Sequence, residues 1–308
     1  MTSVTLSTLK ELIPGERENL DYSAPKYILK WRLGKLLVSS HQGTNQPYLP
    51  ALENRELLVK CLTYSPVRMV LLDPDLSEAQ LRLWADACEQ ANKPVFLRLP
   101  SAQGLPRMRN PIGWAFKRLF DWSVAALLLT VLTPLMVALA ILIRSNSPGP
   151  IFYTQWRVGE RGKLFHILKF RTMIVDAEKF HHQVMANQKG LHKCKDDFRV
   201  TSLGRWMRKY SLDELPQLFN VLRGEMSLVG PRPWALYDAV RISKAGQKRL
   251  NALPGMTGDW QVKARSHLLD LDAVNHCDLE YLRSWSLWRD LKILPLTMLK
   301  VLSGFGAY

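Results

Sequence analysis

The sequence predicts a mixed α/β (α+β) protein in three parts: a small N-terminal α/β module, a hydrophobic helix that enters a membrane, and a larger mixed domain beyond it. Three observations predict this. A strand–helix–strand pattern lies between Val67 and Leu99. An uncharged apolar run extends from Trp122 to Ile143. After it, short strand-like segments alternate with Gly- and Pro-rich turns and carry most of the positive charge. The expected boundaries are 1–108 for the module, 114–145 for an amphipathic lead-in and the membrane helix, and 146–308 for the last domain.

The 308 residues are 47% hydrophobic, enough for a packed core. Formal net charge is +15, and it is uneven. Residues 1–121 carry net +4 and the rest +11, so a surface for an anionic partner belongs to the second part. Nucleic acid, acidic lipid and phosphorylated substrates are the three candidates. No zinc-finger, homeodomain or RRM signature is present, which argues against nucleic acid. Cys61, Cys88, Cys194 and Cys277 form no CxxC, so reduced thiols are expected. The first twenty residues lack an apolar h-region and do not read as a secretory signal.

Residues 1–50 are weakly periodic, with a turn or loop at Gln42–Pro47. Val67–Asp73 reads as a buried strand. Asp75-Leu76-Ser77-Glu78 offers a helix start, and Leu76, Ala79, Leu83, Ala87 and Cys88 then fall at helical spacing. Lys93-Pro94 ends that helix, and Val95–Leu99 reads as a second strand. The unit lacks a Gly-rich phosphate loop and reads as a packing or regulatory module. Residues 100–113 read as a linker, and Trp114–Asp121 as a basic amphipathic lead-in.

The run Trp122–Ile143 has 22 uncharged residues. As one straight helix it would reach about 33 Å, enough to cross a bilayer core of roughly 30 Å. Thr133-Pro134 interrupts it, because proline removes a backbone donor and crowds the preceding turn. A kinked spanning helix and a re-entrant one both fit. Lys117 and Arg118 before the run and Arg144 after it favour two ends on one side. Ser145–Pro150 is a hard stop. Trp285 and Trp288 suit the headgroup level, whereas Trp206 and Trp260 are expected in the core.

Beyond the stop, Gln155–Gly159 and Leu164–Met173 read as two strands around a basic turn. Lys169 and Arg171 are two residues apart on one strand face, and with the Thr172 hydroxyl they could hold a diphosphate. Asp213 and Glu214 follow Ser211, a plausible N-cap, at the start of a short helix where backbone amides favour ionised carboxylates. An ionised Asp can attack phosphorus, and a neighbouring Glu can hold Mg²⁺. Taken alone, such a pair reads as helix capping. Arg232 lies between Pro231 and Pro233 in a turn cluster at 224–233, which stiffens its backbone. Leu253–Gly258 and Gln261–Arg265 read as a turn-and-strand unit with exposed polar groups. His181, His182 and His192 match no metal spacing and read as surface residues.

In order along the chain stand Pro148–Tyr153, Gln155–Gly159, Lys169–Met173, Ser211–Gln217, Asn220–Gly224, Met226–Pro233 and Pro254–Gly258. This succession resembles the bacterial sugar transferase family, the monotopic phosphoglycosyl transferases, over about residues 114–300. The resemblance implies transfer of a sugar 1-phosphate from a UDP-sugar to polyprenyl (undecaprenyl) phosphate, with UMP released, as the first membrane step of exopolysaccharide assembly. It implies a re-entrant helix broken at Thr133-Pro134, and a catalytic domain on the cytoplasmic face of the bacterial inner membrane. By the same match Asp213 would form a phosphosugar intermediate and Glu214 would position Mg²⁺, both carboxylates serving the metal site. Lys169, Arg171, Arg208 and Arg232 would bind phosphate. The implied partners are the UDP-sugar, the polyprenyl phosphate and membrane lipid, with a homodimer admitted.

The chain departs from the family pattern at Trp156, where an acidic or polar residue is common, at Leu253, which replaces a Lys before Pro254-Gly255, and over Asp259–Arg265. The N-terminal module has no counterpart in the smallest members and takes the place of the multi-helix membrane region of the largest. A competing expectation is a non-catalytic membrane scaffold that uses its basic face to hold anionic lipid or an assembly partner.

Overall fold

The computed structural model describes residues 27–40, 52, 54–177, 197–264 and 271–303. The turn expected at Gln42–Pro47, the histidines at 181, 182 and 192, Cys194 and Arg265 lie outside the described residues.

The module is a four-stranded sheet in the order β1-β2-β3-β4. Strands β1 (Tyr27–Arg32) and β2 (Lys35–Ser40) form an antiparallel hairpin, while β3 (Met69–Leu72) and β4 (Val95–Leu97) add in parallel. The hairpin corrects the weak reading of the first fifty residues. Its two-residue turn, Leu33-Gly34, has positive φ at both positions, as right-twisted strands require. Helix α1 (Arg55–Tyr64), capped by Asn54, was not anticipated. Helix α2 (Glu78–Gln90) was, and it starts at a capping box between Ser77 and Gln80. The core of this module includes Trp84, Ala85, Ala87 and Cys88 from one side of α2.

The expected linker at 100–113 is shorter than predicted. Pro106–Arg109 forms one helical turn, and Pro111 opens helix α3 (Pro111–Asn146), with Asn110 capping Gly113 N. Helix α3 absorbs both the amphipathic lead-in and the apolar run, and Ser147 caps its end. The chain stays helical across Thr133-Pro134, where a break was expected. Proline's fixed φ is itself helical, and the Thr133 hydroxyl bonds the Leu129 carbonyl at 2.5 Å beside the lost backbone donor. Lys117, Asp121, Ala125, Leu129, Met136, Leu139 and Ile143 form one buried stripe along the helix. Trp122, Leu127, Val131, Val137, Ile141 and Leu142 are exposed on its other sides. The helix is long and apolar enough to cross a membrane.

The base of α3 is fixed by charge. Lys117 Nζ lies 2.7 Å from Asp290 and 3.8 Å from Asp121, all three nearly inaccessible. Asp121 accepts from Ser227 Oγ and Leu228 N, and Arg118 bonds both Asp121 and the Met226 carbonyl. Asp290 also accepts from Tyr281 OH and Trp285 Nε1, and the Trp285 ring packs edge-on against Trp114.

After α3, strands β5 (Phe152–Val158) and β6 (Leu164–Phe170) form an antiparallel hairpin. Helices α4 (Ser202–Lys209) and α5 (Gln217–Leu222) follow, then the parallel pair β7 (Ser227–Val229) and β8 (Gly255–Thr257). Helices α6 (Leu271–Arg283) and α7 (Leu287–Leu302) close the described chain. Asp259–Ala264 is helical, with Gln261 buried, which corrects the expected exposed strand there. Gly258, just before it, packs so close that a Cβ would sit 2.3 Å from the Gly230 carbonyl. Trp206 is 45% exposed, not in the core, because α4 turns Met207 and Gly204 inward instead. Trp260 does pack against the core, and Trp288 is 75% exposed.

The β5–β6 hairpin is shared between two cores. Trp156, Val158 and Leu164 join the core of the N-terminal module. Phe165, Ile167 and Phe170 join a second core with Leu129, Met136, Met207, Leu218 and Val221. Gly162, in the turn between the strands, has φ +80° and sits against the Leu97 carbonyl of β4, where a Cβ would lie 2.3 Å from that oxygen. Gly162→Ala is therefore expected to cost about 1–3 kcal/mol, from left-handed strain and loss of the β4 contact. Thermal or denaturant unfolding of the purified protein would check it, and an unchanged midpoint would contradict the close approach.

Candidate active site

Asp213 sits on a single tight turn, Leu212–Glu214, between α4 and α5. Ser211 enters that turn in the left-handed conformation, φ 51°, and its side chain makes no capping bond. The expected helix N-cap is thus replaced by a strained entry that turns the carboxylate inward. Asp213 is buried, and Glu214 is half-buried. Lys169 Nζ, from β6, lies 2.7 Å from Glu214 Oε1.

Burial is the largest influence on Asp213 and raises its pKa. Lys169 and Arg208 pull it down, and the Glu214 charge pushes it up. The net direction is upward, so burial outweighs the support that the cations and the backbone give the charged form. A single turn offers no extended helix dipole, so the two cations carry that task.

Arg208 is placed from below. Its Nε–H donates to Thr172 Oγ1 at 2.9 Å. Thr172 is buried, and its carbonyl accepts from Thr201 N at the head of α4. Helix α4 approaches this carbonyl so closely that a Cβ on Gly204 would fall 2.1 Å from it. Arg208 follows Gly204 by one turn, so this packing sets its reach. Beside it, Arg199 forks onto Asp197 with Nε–Oδ1 at 2.8 Å and Nη2–Oδ2 at 2.6 Å, both residues buried. Burial alone would raise Asp197; the Arg199 bonds hold it below the usual carboxylate range. Sequence reading passed over this pair, although the Asp-x-Arg spacing in Asp197-Phe198-Arg199 was a signal for it.

The structure thus brings Lys169, Thr172, Arg208, Asp213 and Glu214 together. It places Arg171 and Arg232 elsewhere. Arg171 lies just past the end of β6, so it does not share a strand face with Lys169. Its guanidinium donates to the Ser147 carbonyl at 2.7 Å and the Pro148 carbonyl at 2.8 Å, tying down the exit of α3. Arg232 stacks 4.5 Å above Trp260 in a second group with Arg157, Asp238 and Arg249. Arg249 is fully buried, paired with Asp278 and stacked on Trp234. Burial pushes Asp238 up to about 6 against the pull of Arg232 and Arg157.

The two groups share one face of the hairpin. Tyr153 pairs with Lys169 across the strands, and Arg157 points to the same side four residues along β5, about 13 Å away at roughly 3.3 Å per residue. Tyr153 interacts electrostatically with both Arg157 and Arg208. Tyr153 and Arg157 were not singled out from sequence, because an alternating strand hides which face becomes the site.

Among the described residues, no group of three or more His, Cys, Asp and Glu could hold a metal ion. The adjacent carboxylates of Asp213 and Glu214 are hard oxygen donors. Two of them suit a Mg²⁺ that completes its shell with substrate phosphate and water.

A profile of the family described as bacterial sugar transferase matches residues 112–304. The chain belongs to that family. A galactosyl transferase CpsE of Streptococcus agalactiae serotype III (strain NEM316) is 40% identical over 194 residues, covering 62% of this chain and 43% of that protein. An undecaprenyl-phosphate galactose phosphotransferase of Salmonella typhimurium (strain LT2) is 33% identical over 288 residues, covering 84% of this chain and 60% of that protein. The exopolysaccharide production protein ExoY of Rhizobium meliloti (strain 1021) is 35% identical over 229 residues, 72% of this chain and 99% of its own. The chain thus spans about half the length of the first two. The Salmonella likeness covers more of the chain than residues 112–304 and so reaches into the N-terminal module. The module is therefore not peculiar to this chain.

Proposed function

We propose that this sugar transferase moves a sugar 1-phosphate from a UDP-sugar to polyprenyl phosphate at a membrane surface. The observation that carries the reading is Asp213, buried yet flanked by Lys169 and Arg208, with Glu214 beside it. A carboxylate so placed is poised for attack on an anion, because the two cations offset both its own charge and that of a diphosphate. Relatives named as undecaprenyl-phosphate galactose and glucose phosphotransferases support the substrate class.

A carboxylate oxygen of Asp213 attacks the β-phosphorus of the donor, and the bond from that phosphorus to the bridging oxygen breaks. UMP leaves with the electron pair. An oxygen of the polyprenyl phosphate then attacks the same phosphorus and displaces Asp213, giving polyprenyl-diphosphate-sugar and restoring the carboxylate. Lys169 and Arg208 face the transferred phosphoryl group. Arg157, farther along the same hairpin face, and Arg232 near it take the nucleotide side of the donor. Thr172 holds Arg208, and Arg171 holds the end of α3. Asp213 and Glu214 would hold Mg²⁺, which supplies charge neutralisation at the donor diphosphate.

Helix α3 would lie in the lipid. Its exposed apolar surface supports this, as does the cytoplasmic placement implied by basic residues on both flanks. Residues buried on both sides of Pro134 belong to one core, which supports a re-entrant path over a straight crossing.

Asp213→Asn is expected to abolish UMP release from UDP-sugars with undecaprenyl phosphate and Mg²⁺, while membrane association persists. Full retained turnover would remove Asp213 from the nucleophile role, and a wild-type protein that releases UMP from no common donor would favour a scaffold. Lys169→Met removes the largest influence that lowers the Asp213 pKa. That pKa should rise further, so the acid limb of the kcat/KM profile should move to higher pH; an unmoved limb would separate Lys169 from the nucleophile. For topology, exposed Cys61 reports the side of the module. An impermeant thiol reagent on intact spheroplasts should leave it unlabelled, and labelling there would mean a spanning helix.

A further inference from the structure

We propose that the N-terminal module is a positioning element for catalysis, acting through a latch between α2 and the back of the β5–β6 hairpin; this rests on the transferase reading above. The latch has two hydrogen-bonded contacts. Trp156 Nε1–H of β5 donates to Asp86 Oδ1 at 2.7 Å, and His166 Nε2 of β6 lies 3.2 Å from Glu89 Oε2. Asp86 and Glu89 are three residues apart on α2 and so share one helix face. Trp156 and His166 are directly paired across the hairpin, with ring centroids 3.8 Å apart. Together they form one plate held by one helix.

The other face of the same two strands carries the chemistry. Lys169 follows His166 by three residues and therefore points to the opposite side, where it meets Glu214. A two-stranded hairpin is marginal by itself and takes its shape from what packs against it. Here its back is packed by the module. Trp156, Val158 and Leu164 lie in the module's core, Phe96 bridges to Lys163, and Arg107 pairs with Glu160 in the turn. Among the described residues, Asp86 is also 3.8 Å from Arg55, which links α1 to the same point.

A hairpin that shifts relative to α2 carries Lys169 with it, and so displaces the Lys169–Glu214 pair beside Asp213. Misplacement by about 1 Å at a reacting centre is enough to slow turnover by on the order of a hundredfold. Trp156, a departure from the family pattern, is thus assigned as a positioning residue. It touches the module and acts on the site through Lys169.

The test uses the full-length enzyme in membranes or nanodiscs. Asp86→Ala and Trp156→Phe each remove the indole hydrogen bond, while Asp86→Asn keeps an acceptor oxygen. Both breaking variants are expected to lower kcat by about tenfold, within the range that sub-ångström misplacement allows, with the donor KM held within about twofold. Asp86→Asn should recover most of that loss. Hydrogen exchange across residues 152–170 should rise in the breaking variants and return toward wild type in Asp86→Asn.

Unchanged kcat in both breaking variants, a rise in KM alone, or an Asp86→Asn variant as slow as Asp86→Ala would each overturn the latch. A wild-type protein that releases no UMP would sink the transferase reading instead. The exchange measurement would then decide the latch by itself, with unchanged exchange refuting it.

Discussion

A lysine enclosed almost completely by protein holds this molecule to its apolar helix. Lys117 bonds Asp290 and neighbours Asp121, and each carboxylate is further bonded by groups from other parts of the chain. Removing one partner from such a pair leaves a buried charge uncompensated and typically costs about 3–5 kcal/mol. The network joins α3 to β7, α6 and α7 at one point. Arg171 clamps the far end of α3 through the Ser147 and Pro148 carbonyls. The helix is therefore gripped at both ends by the domain that carries Asp213, and every placement in the site inherits that frame.

The hairpin occupies the middle of the frame and has no interior of its own. Trp156, Val158 and Leu164 belong to the core around Trp84, and Phe165, Ile167 and Phe170 to the core around Met207 and Val221. Lys169 emerges where the second core ends, so its position depends on two packings at once. Arg208 acts on Asp213 by a separate route, through Thr172 and the close seating of α4. Two independently supported cations flank one buried acid and offset part of the rise in pKa that burial imposes.

Much of this was legible in the residues. Local signals were enough for α2, whose capping box and helical spacing are explicit, for β3 and β4, and for the hairpin around the basic turn. The Asp213-Glu214 pair became meaningful once the ordered motifs around it were read together. Other features depend on contacts between distant parts of the chain. Arg171 and Lys169 looked alike at a spacing of two, yet the strand ends between them and Arg171 turns to a carbonyl more than twenty residues back. Trp156 looked like an anomaly until α2 was found behind it. Ser211 looked like a cap, but its left-handed backbone cannot be inferred from residue type. Thr133-Pro134 looked like a break, because the hydroxyl bond that accompanies the proline is a local accommodation that composition does not reveal.

Gly204 shows how little freedom remains at one point of this design. Its missing side chain is the gap that the Thr172 carbonyl fills. Any of the other nineteen residue types would have to push α4 away from the strand end and carry Arg208 with it. Drift in the sequence can exchange apolar groups within either core and can recolour the surface, but at this position the chain has a single spelling. The reach of an arginine toward the buried acid is thus encoded in an atom that is absent, one helical turn away from the residue that does the reaching.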